Sequence, residues 1–420
     1  MKQILWFSVR MLSSGINKVS GSRLYSMARL LTESNDIVLT NITMSNSVKT
    51  GEVKHIKIND NFQEYILPNC KLDNNGIPDK KFFPIIKKSI EEVSPDLIHV
   101  WGVESWFSKV IPLLDINIPI LLEIQGLHST CARVYYGDMS IRDTLRCFGL
   151  REFLFPFKKS VYHFKNNARK KGKLEYESIK KYKNISTQSR WIKDHIRSIN
   201  SDAKIFTTGM SIRKEFWKSG QWTYPTDGSM NFYFSSAGPL PYTSVQTAIK
   251  ALAEVVKIHS NAKLYIVGNF KDSNWIHQNG YLTFIKKIIK RLDLEKNIIF
   301  TGSLDAHGIA ETMHKCIGMV QTSYVESYSL VVAESQSIGL PCIISYAGAM
   351  PELAIDRESG LFYSPGDYYS CAARMLEIIE NKELANRLSQ NAYELAHQRN
   401  NDDIVLAKQL DIYNEIIQEK

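Results

Sequence analysis

The stretch "GMVQTSYVESYSLVVAESQSIGLPCII", residues 318 to 344, decides how this chain is read. It opens on a short apolar strand pattern, continues as a helical run from Leu330 to Ser337, and is closed by Gly339 and Pro341 before a second strand begins. Two glutamates, Glu326 and Glu334, stand within it. In open α/β sheets, ligands gather where a strand ends and a helix begins. The first backbone N–H groups of the helix lack partners there and carry the positive end of its dipole. A helix opening near Tyr328 is expected to leave the N–H groups of Ser327, Tyr328 and Ser329 facing an anion such as a diphosphate. Glu326 then lies just before the helix and Glu334 about two turns inside it. They do not share a helical face at close range, which argues against a two-carboxylate hydrolytic pair. Spacing alone leaves two readings open: each carboxylate reaches a different part of one extended ligand, or one is a helix-terminal charge and the other a solvated one.

Working outward, the same alternation of short β-rich runs and amphipathic helical runs covers the chain, the mark of parallel α/β layers. In the first half, strands are expected at Gln3 to Ser8, Asp36 to Met44, Leu97 to Trp101, Ile118 to Ile124, Asn184 to Thr187 and Lys204 to Thr207. After the unpatterned "KSGQWTYPTDGSM", residues 218 to 230, they recur at Asn231 to Ser235, Lys263 to Val267, Asn297 to Thr301, Gly318 to Thr322 and Pro341 to Ser345. Two doubly wound domains in tandem follow: 1–210 and 211–400, with the helical stretch 401–420 returning to the first. A length of 420 residues suits two cores better than one.

Composition narrows the class. With 44% hydrophobic and 11% aromatic residues the chain is globular. The apolar start at Ile4 is too short for a secretory core, and "VIPLLDINIPILLEI" is broken by Asp115, Asn117 and two prolines, so a cytoplasmic location is expected. Six cysteines lack metal-ligand or redox spacing and read as reduced packing residues, and no site for a metal or a cofactor is expected. The net charge of +9 is concentrated in 151–183, where eleven Lys or Arg meet three Glu among interleaved aromatics. That segment suits an anionic membrane surface or a phosphorylated acceptor, or else is a solvated helical face. No nucleic-acid signature accompanies the charge, so nucleic acid is not expected as a partner.

The residues from Thr322 to Asp367 carry a more specific signal. Glutamate, seven residues and glutamate are followed by Gly339-Leu340-Pro341, Gly348, Pro351-Glu352, Gly360 and Pro365-Gly366-Asp367. This resembles the retaining glycosyltransferases of family four, the glycosyl transferases group 1. Looser landmarks lie in "SPDLIHVWG" from Ser94, "PILLEIQGL" from Pro119 and the glycine-led "GSRLYSMARLL" from Gly21. The resemblance implies the GT-B fold: two facing Rossmann-like doubly wound domains, with a C-terminal helix packing back on the first. It implies a nucleotide-sugar donor, with a UDP-sugar favoured, and a saccharide or lipid-linked saccharide acceptor. Glu326 would contact the transferred sugar and Glu334 the ribose. The backbone from Ser327 to Leu330 would hold the distal phosphate, and Gly238, Thr243 and Gly21 would line the donor.

Two departures stand against that pattern. Many members neutralise the leaving diphosphate with an Arg and a Lys after the first strand of the second domain, whereas "SSAGPLPYTS" from Ser235 has Pro239 and Thr243 there. Arg213, Lys250 and Lys271 are candidate substitutes. Gln125 stands where many relatives carry a histidine; it can orient a sugar by hydrogen bonds but cannot titrate. The reading reached is a retaining, metal-independent hexosyl or N-acetylhexosaminyl transferase of surface-polysaccharide assembly, peripheral at the inner membrane face. Its rival is a non-catalytic glycosyltransferase-like binding subunit. His99 reads as a buried strand-end residue.

Overall fold

The computed structural model describes residues 1–13, 22–49, 51–155, 160–270 and 279–419. They form two compact units: Met1–Ser129, Lys170–Ser211 and Asn400–Lys420 make the first, Thr130–Arg169 and Ile212–Arg399 the second.

The strands of the first unit are β1 (Lys2–Phe7), β2 (Ile37–Ser45), β3 (Lys54–Asn59), β4 (Phe62–Pro68), β5 (Leu97–Trp101), β6 (Ile120–Glu123), β7 (Asn184–Thr187) and β8 (Lys204–Thr207). They form one sheet in the order β3-β4-β2-β1-β5-β6-β7-β8. Every pairing is parallel except β3 with β4. The central strands are continuous apolar runs because helices cover both faces; all five residues of β5 are buried. The helix Asp402–Gln418 belongs to this unit, as the C-terminal pattern suggested. Its Val405, Ile412, Tyr413 and Ile416 join Ile4, Trp6, Leu24 and Trp101 in one apolar cluster. The Trp6 indole donates to the Tyr413 hydroxyl at 3.1 Å, and that hydroxyl lies 2.8 Å from His99 Nδ1. His99 is buried as expected, though in the middle of β5 rather than at its end, and burial pushes its pKa down.

The second unit holds β9 (Asn231–Ser235), β10 (Lys263–Val267), β11 (Ile298–Gly302), β12 (Gly318–Gln321), β13 (Cys342–Ser345) and β14 (Leu361–Tyr363). Their order is β11-β10-β9-β12-β13-β14, all parallel. The chain runs outward from β9 to β11 and then returns to the other side of β9 with β12. The loops after β9 and β12 therefore diverge at a topological switch point, the place where such sheets open a ligand crevice.

Residues 130–169 sit differently from the division drawn at 210. They pack within the second unit: Tyr135, Cys147 and Val161 are buried in its core, and the Glu152 carboxylate accepts from the Gly280 N–H at 3.0 Å. The basic segment is consequently shared, with 151–169 in the second unit and 170–183 in the first. Three strands have no counterpart in the expected pattern, namely β3, β4 and β14.

Candidate functional site

The loop after β12 carries Glu326. The Glu326 Oε1 atom accepts from the Ser323 hydroxyl at 2.8 Å and from the Gln321 side-chain amide at 3.1 Å. Gln321 also donates to the Ser329 hydroxyl at 3.2 Å, so one amide at the end of β12 holds both the glutamate and the residue that opens the next helix. The backbone is fixed as firmly. The Ala349 N–H donates to the Glu326 carbonyl at 2.9 Å. Gly348, at a φ of 56°, lies so close that a Cβ there would overlap the Glu326 backbone. Burial pushes the Glu326 carboxyl up to about 7, against the pull of the Ser323 hydrogen bond.

The following helix is Leu330–Ser337. Its bounds are those of the helical run read from the sequence, two residues after the opening near Tyr328 on which the anion site was argued: Ser329 is its N-cap, and the Ser329 hydroxyl accepts from the Val332 N–H. Ser327, Tyr328 and Ser329 therefore precede the helix, and Leu330 is its first residue. Glu334 lies about one turn inside. It is 4% exposed, and both of its oxygens are taken in a fork by Arg213, Nε to Oε1 and Nη2 to Oε2, each at 2.8 Å. Arg213 precedes the short helix Lys214–Lys218. Burial pushes the Glu334 pKa up and the guanidinium pulls it back, with a net rise.

The loop after β9 meets the loop after β12 through Thr322. The Thr322 hydroxyl is bonded to the carbonyls of Thr243 and Ser244 at 2.7 and 2.9 Å, and the Tyr324 N–H donates to the Tyr242 carbonyl at 2.8 Å. Thr243 spends its own hydroxyl on the Leu240 carbonyl at 2.8 Å. Gly238 is under no steric demand, since a Cβ there would stand 3.6 Å from the Asn269 carbonyl. Of the candidate cations, Arg213 is committed to Glu334, and Lys250 pairs with Asp138 at 2.9 Å. Lys271 and Gly21 lie outside the described residues. Asp138 also accepts from the Ser244 hydroxyl at 2.9 Å and from the Gln246 side-chain amide. A residue of the 130–169 segment thereby fastens the start of the helix Val245–Val256.

In the first unit, Gln125 follows β6 and is half-buried. Its neighbour Glu123 is fully buried, ion-paired with Arg23, 3.3 Å from the Gln188 side-chain amide and 3.7 Å from His99 Nε2. Burial alone would push its carboxyl up, but Arg23 and His99 hold it at about 2. A cavity of about 740 Å³ lies at the opposite, amino ends of β6, β7 and β8, between Pro112, Ile118, Tyr182 and Lys204, and none of the candidate residues lines it.

Gln321, Asp138 and Glu123 were not reached by sequence reasoning, and Arg213 was reached only as a candidate for the diphosphate, not as the partner of Glu334. The partners of Arg213, Asp138 and Glu123 are remote in the chain, and only their polar contacts mark them. Motif order was the available signal for Gln321, which ends the strand leading to Glu326.

Two parallel-dominated sheets with a switch-point site are the GT-B architecture, and solved structures agree. A sucrose-phosphate synthase from Thermosynechococcus elongatus superposes with a TM-score of 0.71 at 16% identity over 100% of both chains. HepE of Anabaena in complex with UDP and glucose gives 0.67 at 15% identity, over 98% of this chain and 99% of the other. Residues 224–395 match the model of glycosyl transferases group 1, so the resemblance drawn from Thr322 to Asp367 is shown. Among curated proteins, the N-acetyl-alpha-D-glucosaminyl L-malate synthase of Bacillus anthracis is 25% identical over 175 residues, 42% of this chain and 43% of that protein. A glycogen synthase of Mycobacterium tuberculosis is 24% identical over 156 residues, 37% and 36% of the two chains. The chain thus spans less than half the length of these curated relatives.

Proposed function

We propose that the protein is a retaining glycosyltransferase that moves a hexose or N-acetylhexosamine from a nucleoside diphosphate, a UDP-sugar for preference, to a saccharide hydroxyl without a metal. The observation that carries this is the switch point of the second sheet, where Glu326 is held before a capped helix and Glu334 lies about one turn inside it. Glu326 would accept hydroxyls of the transferred sugar, Glu334 the ribose, and the backbone from Ser327 to Leu330 the distal phosphate. Gly238, Thr243 and Gly21 would line the donor, and Gln125 would orient the sugar. Anabaena HepE, solved in complex with UDP and glucose, supports a UDP-sugar donor.

The test is calorimetric titration with UDP, GDP, ADP and their sugars, with and without chelator, followed by transfer assays. Glu326→Ala is expected to abolish transfer with the melting curve preserved, and Glu334→Ala to weaken nucleotide binding about tenfold or more. Turnover retained by Glu326→Ala removes that residue from the mechanism. A second reading, a binding subunit without turnover, is favoured by one observation: Arg213 and Lys250 are each spent on a carboxylate and leave the diphosphate charge to other groups. Binding of a diphosphate without any transfer would select it.

The acceptor reading includes a lipid-linked saccharide in surface-polysaccharide assembly, met at the inner membrane face. Phe153, Leu154, Phe155 and Tyr162 are exposed, as are Ile141 and Leu145. Arg142, Arg146 and Arg169 are exposed in the same unit. Apolar side chains with cations around them suit an anionic bilayer surface. Among the described residues no helix is long and apolar enough to cross a membrane. Flotation with anionic vesicles is the test of this contact.

A further inference from the structure

The Arg213–Glu334 fork bears on which ribose hydroxyls the site can recognise. An ionised carboxylate offers about four lone-pair positions, two per oxygen. A guanidinium approaching through Nε and Nη2 forms two parallel bonds and occupies the pair of positions facing it along one edge. That is the geometry observed here, with both distances at 2.8 Å. The positions left over lie on opposite flanks of the carboxylate and point apart. A vicinal diol, with its two hydroxyls side by side, can match the edge that Arg213 occupies but cannot span the two flanks.

The fork is not easily surrendered. The Arg213 side chain is 16% exposed and that of Glu334 is 6% exposed. Opening the pair would leave a buried carboxylate to be satisfied by neutral hydroxyls alone, which is unfavourable for a desolvated charge. The guanidinium also lies 4.8 Å from the Phe216 ring, a second contact that holds it in place.

We infer that Arg213 is a specificity-determining residue for donor recognition: by occupying the diol-binding edge of Glu334, it leaves the site to accept one ribose hydroxyl and not both. This rests on the donor-site reading above and goes beyond it, because it assigns unequal weight to the 2′ and 3′ positions. A nucleoside diphosphate lacking the unrecognised hydroxyl would bind as well as the ribonucleotide.

The experiment is a set of titrations on the full chain with UDP, 2′-deoxy-UDP and 3′-deoxy-UDP, and with the corresponding guanosine set if GDP is the diphosphate bound. The wild-type protein is expected to bind one deoxy analogue within about twofold of the parent and the other about tenfold or more weakly, the loss set by a hydrogen bond to a charged acceptor. Arg213→Gln frees the edge, so both deoxy analogues should then bind more weakly than the parent. Arg213→Lys, which keeps the charge but lacks the planar fork, should resemble the Gln variant in this ratio. Equal weakening of both analogues in the wild type would overturn the inference while leaving the donor site intact. Equal binding of all three would remove Glu334 from ribose recognition, and the inference with it. Failure of every diphosphate to bind would overturn the donor-site reading itself. The wild-type titrations decide the matter even if both variants fold poorly, and a purely structural role for Arg213 would not alter the ratio between the analogues.

Discussion

Glu326 shows what a single side chain contributes. Its carboxyl is pushed up to about 7 by burial, above the ordinary value of about 4.3. A raised carboxylate favours the neutral form in the fold, so its contribution to stability is present below pH 4 and is lost as the pH climbs through 7. Glu326→Gln imitates the neutral form. It is expected to flatten the stability profile between pH 4.5 and 7.5 and to gain on the order of 2 kcal/mol at pH 8 in urea unfolding. An unchanged pH profile would show that the carboxyl ionises freely. Glu123 is the opposite case. The carboxyl of Glu326, in a loop, and that of Glu123, at the end of β6, are shifted in opposite directions by their surroundings, one up by burial beside neutral donors, the other down by Arg23.

At the level of elements, the site depends on how tightly the loops fit. Gly348 stands where any Cβ would overlap the Glu326 backbone, and its φ of 56° is one that L side chains rarely adopt. Gly348→Ala is therefore expected to displace the Glu326 loop, lowering the melting temperature by several degrees and weakening nucleotide-sugar binding more than nucleotide binding. Equal loss for both ligands would point to general damage to the fold. The loop was legible in part: the Glu326 and Glu334 positions and the helix Leu330–Ser337 follow from motif order and periodicity, as do strands such as Leu97–Trp101 and Asn231–Ser235. What escaped has identifiable causes. The strand Lys54–Asn59, "KHIKIN", is a charged edge strand with little apolar content, and β14 has three residues. The helix Val161–Ile179 carries so many lysines that its apolar stripe is faint. Arg213 meets Glu334 across 121 positions, and Lys250 meets Asp138 across 112, contacts that no local pattern encodes.

On the scale of the whole molecule, the charge of +9 is joined to a local excess of exposed aromatics. Phe153 is 79% exposed and Tyr162 59%, far from any role in a core. Flotation with vesicles of anionic phospholipid is expected to recover the protein at low salt and to lose most of it by 0.5 M salt, since screening then acts within about 4 Å. Replacing Phe153 and Phe155 by Ser should weaken recovery at every salt concentration. Absence from the lipid fraction at low salt would end the membrane reading.

The connectivity of the units also governs how the chain acquires its shape during synthesis. The sheet of the first unit is complete in sequence at Thr207, yet the helix whose Tyr413 covers Trp6 and His99 is translated some two hundred residues later. At elongation rates of roughly 5–20 residues per second, the apolar face around Trp6 waits about ten to forty seconds for that cover. The second unit, by contrast, has all of its segments on hand by Arg399. The ribosome thus delivers the later unit in finished form before the earlier one, and the nascent N-terminal half is the stretch that a chaperone would have to shelter.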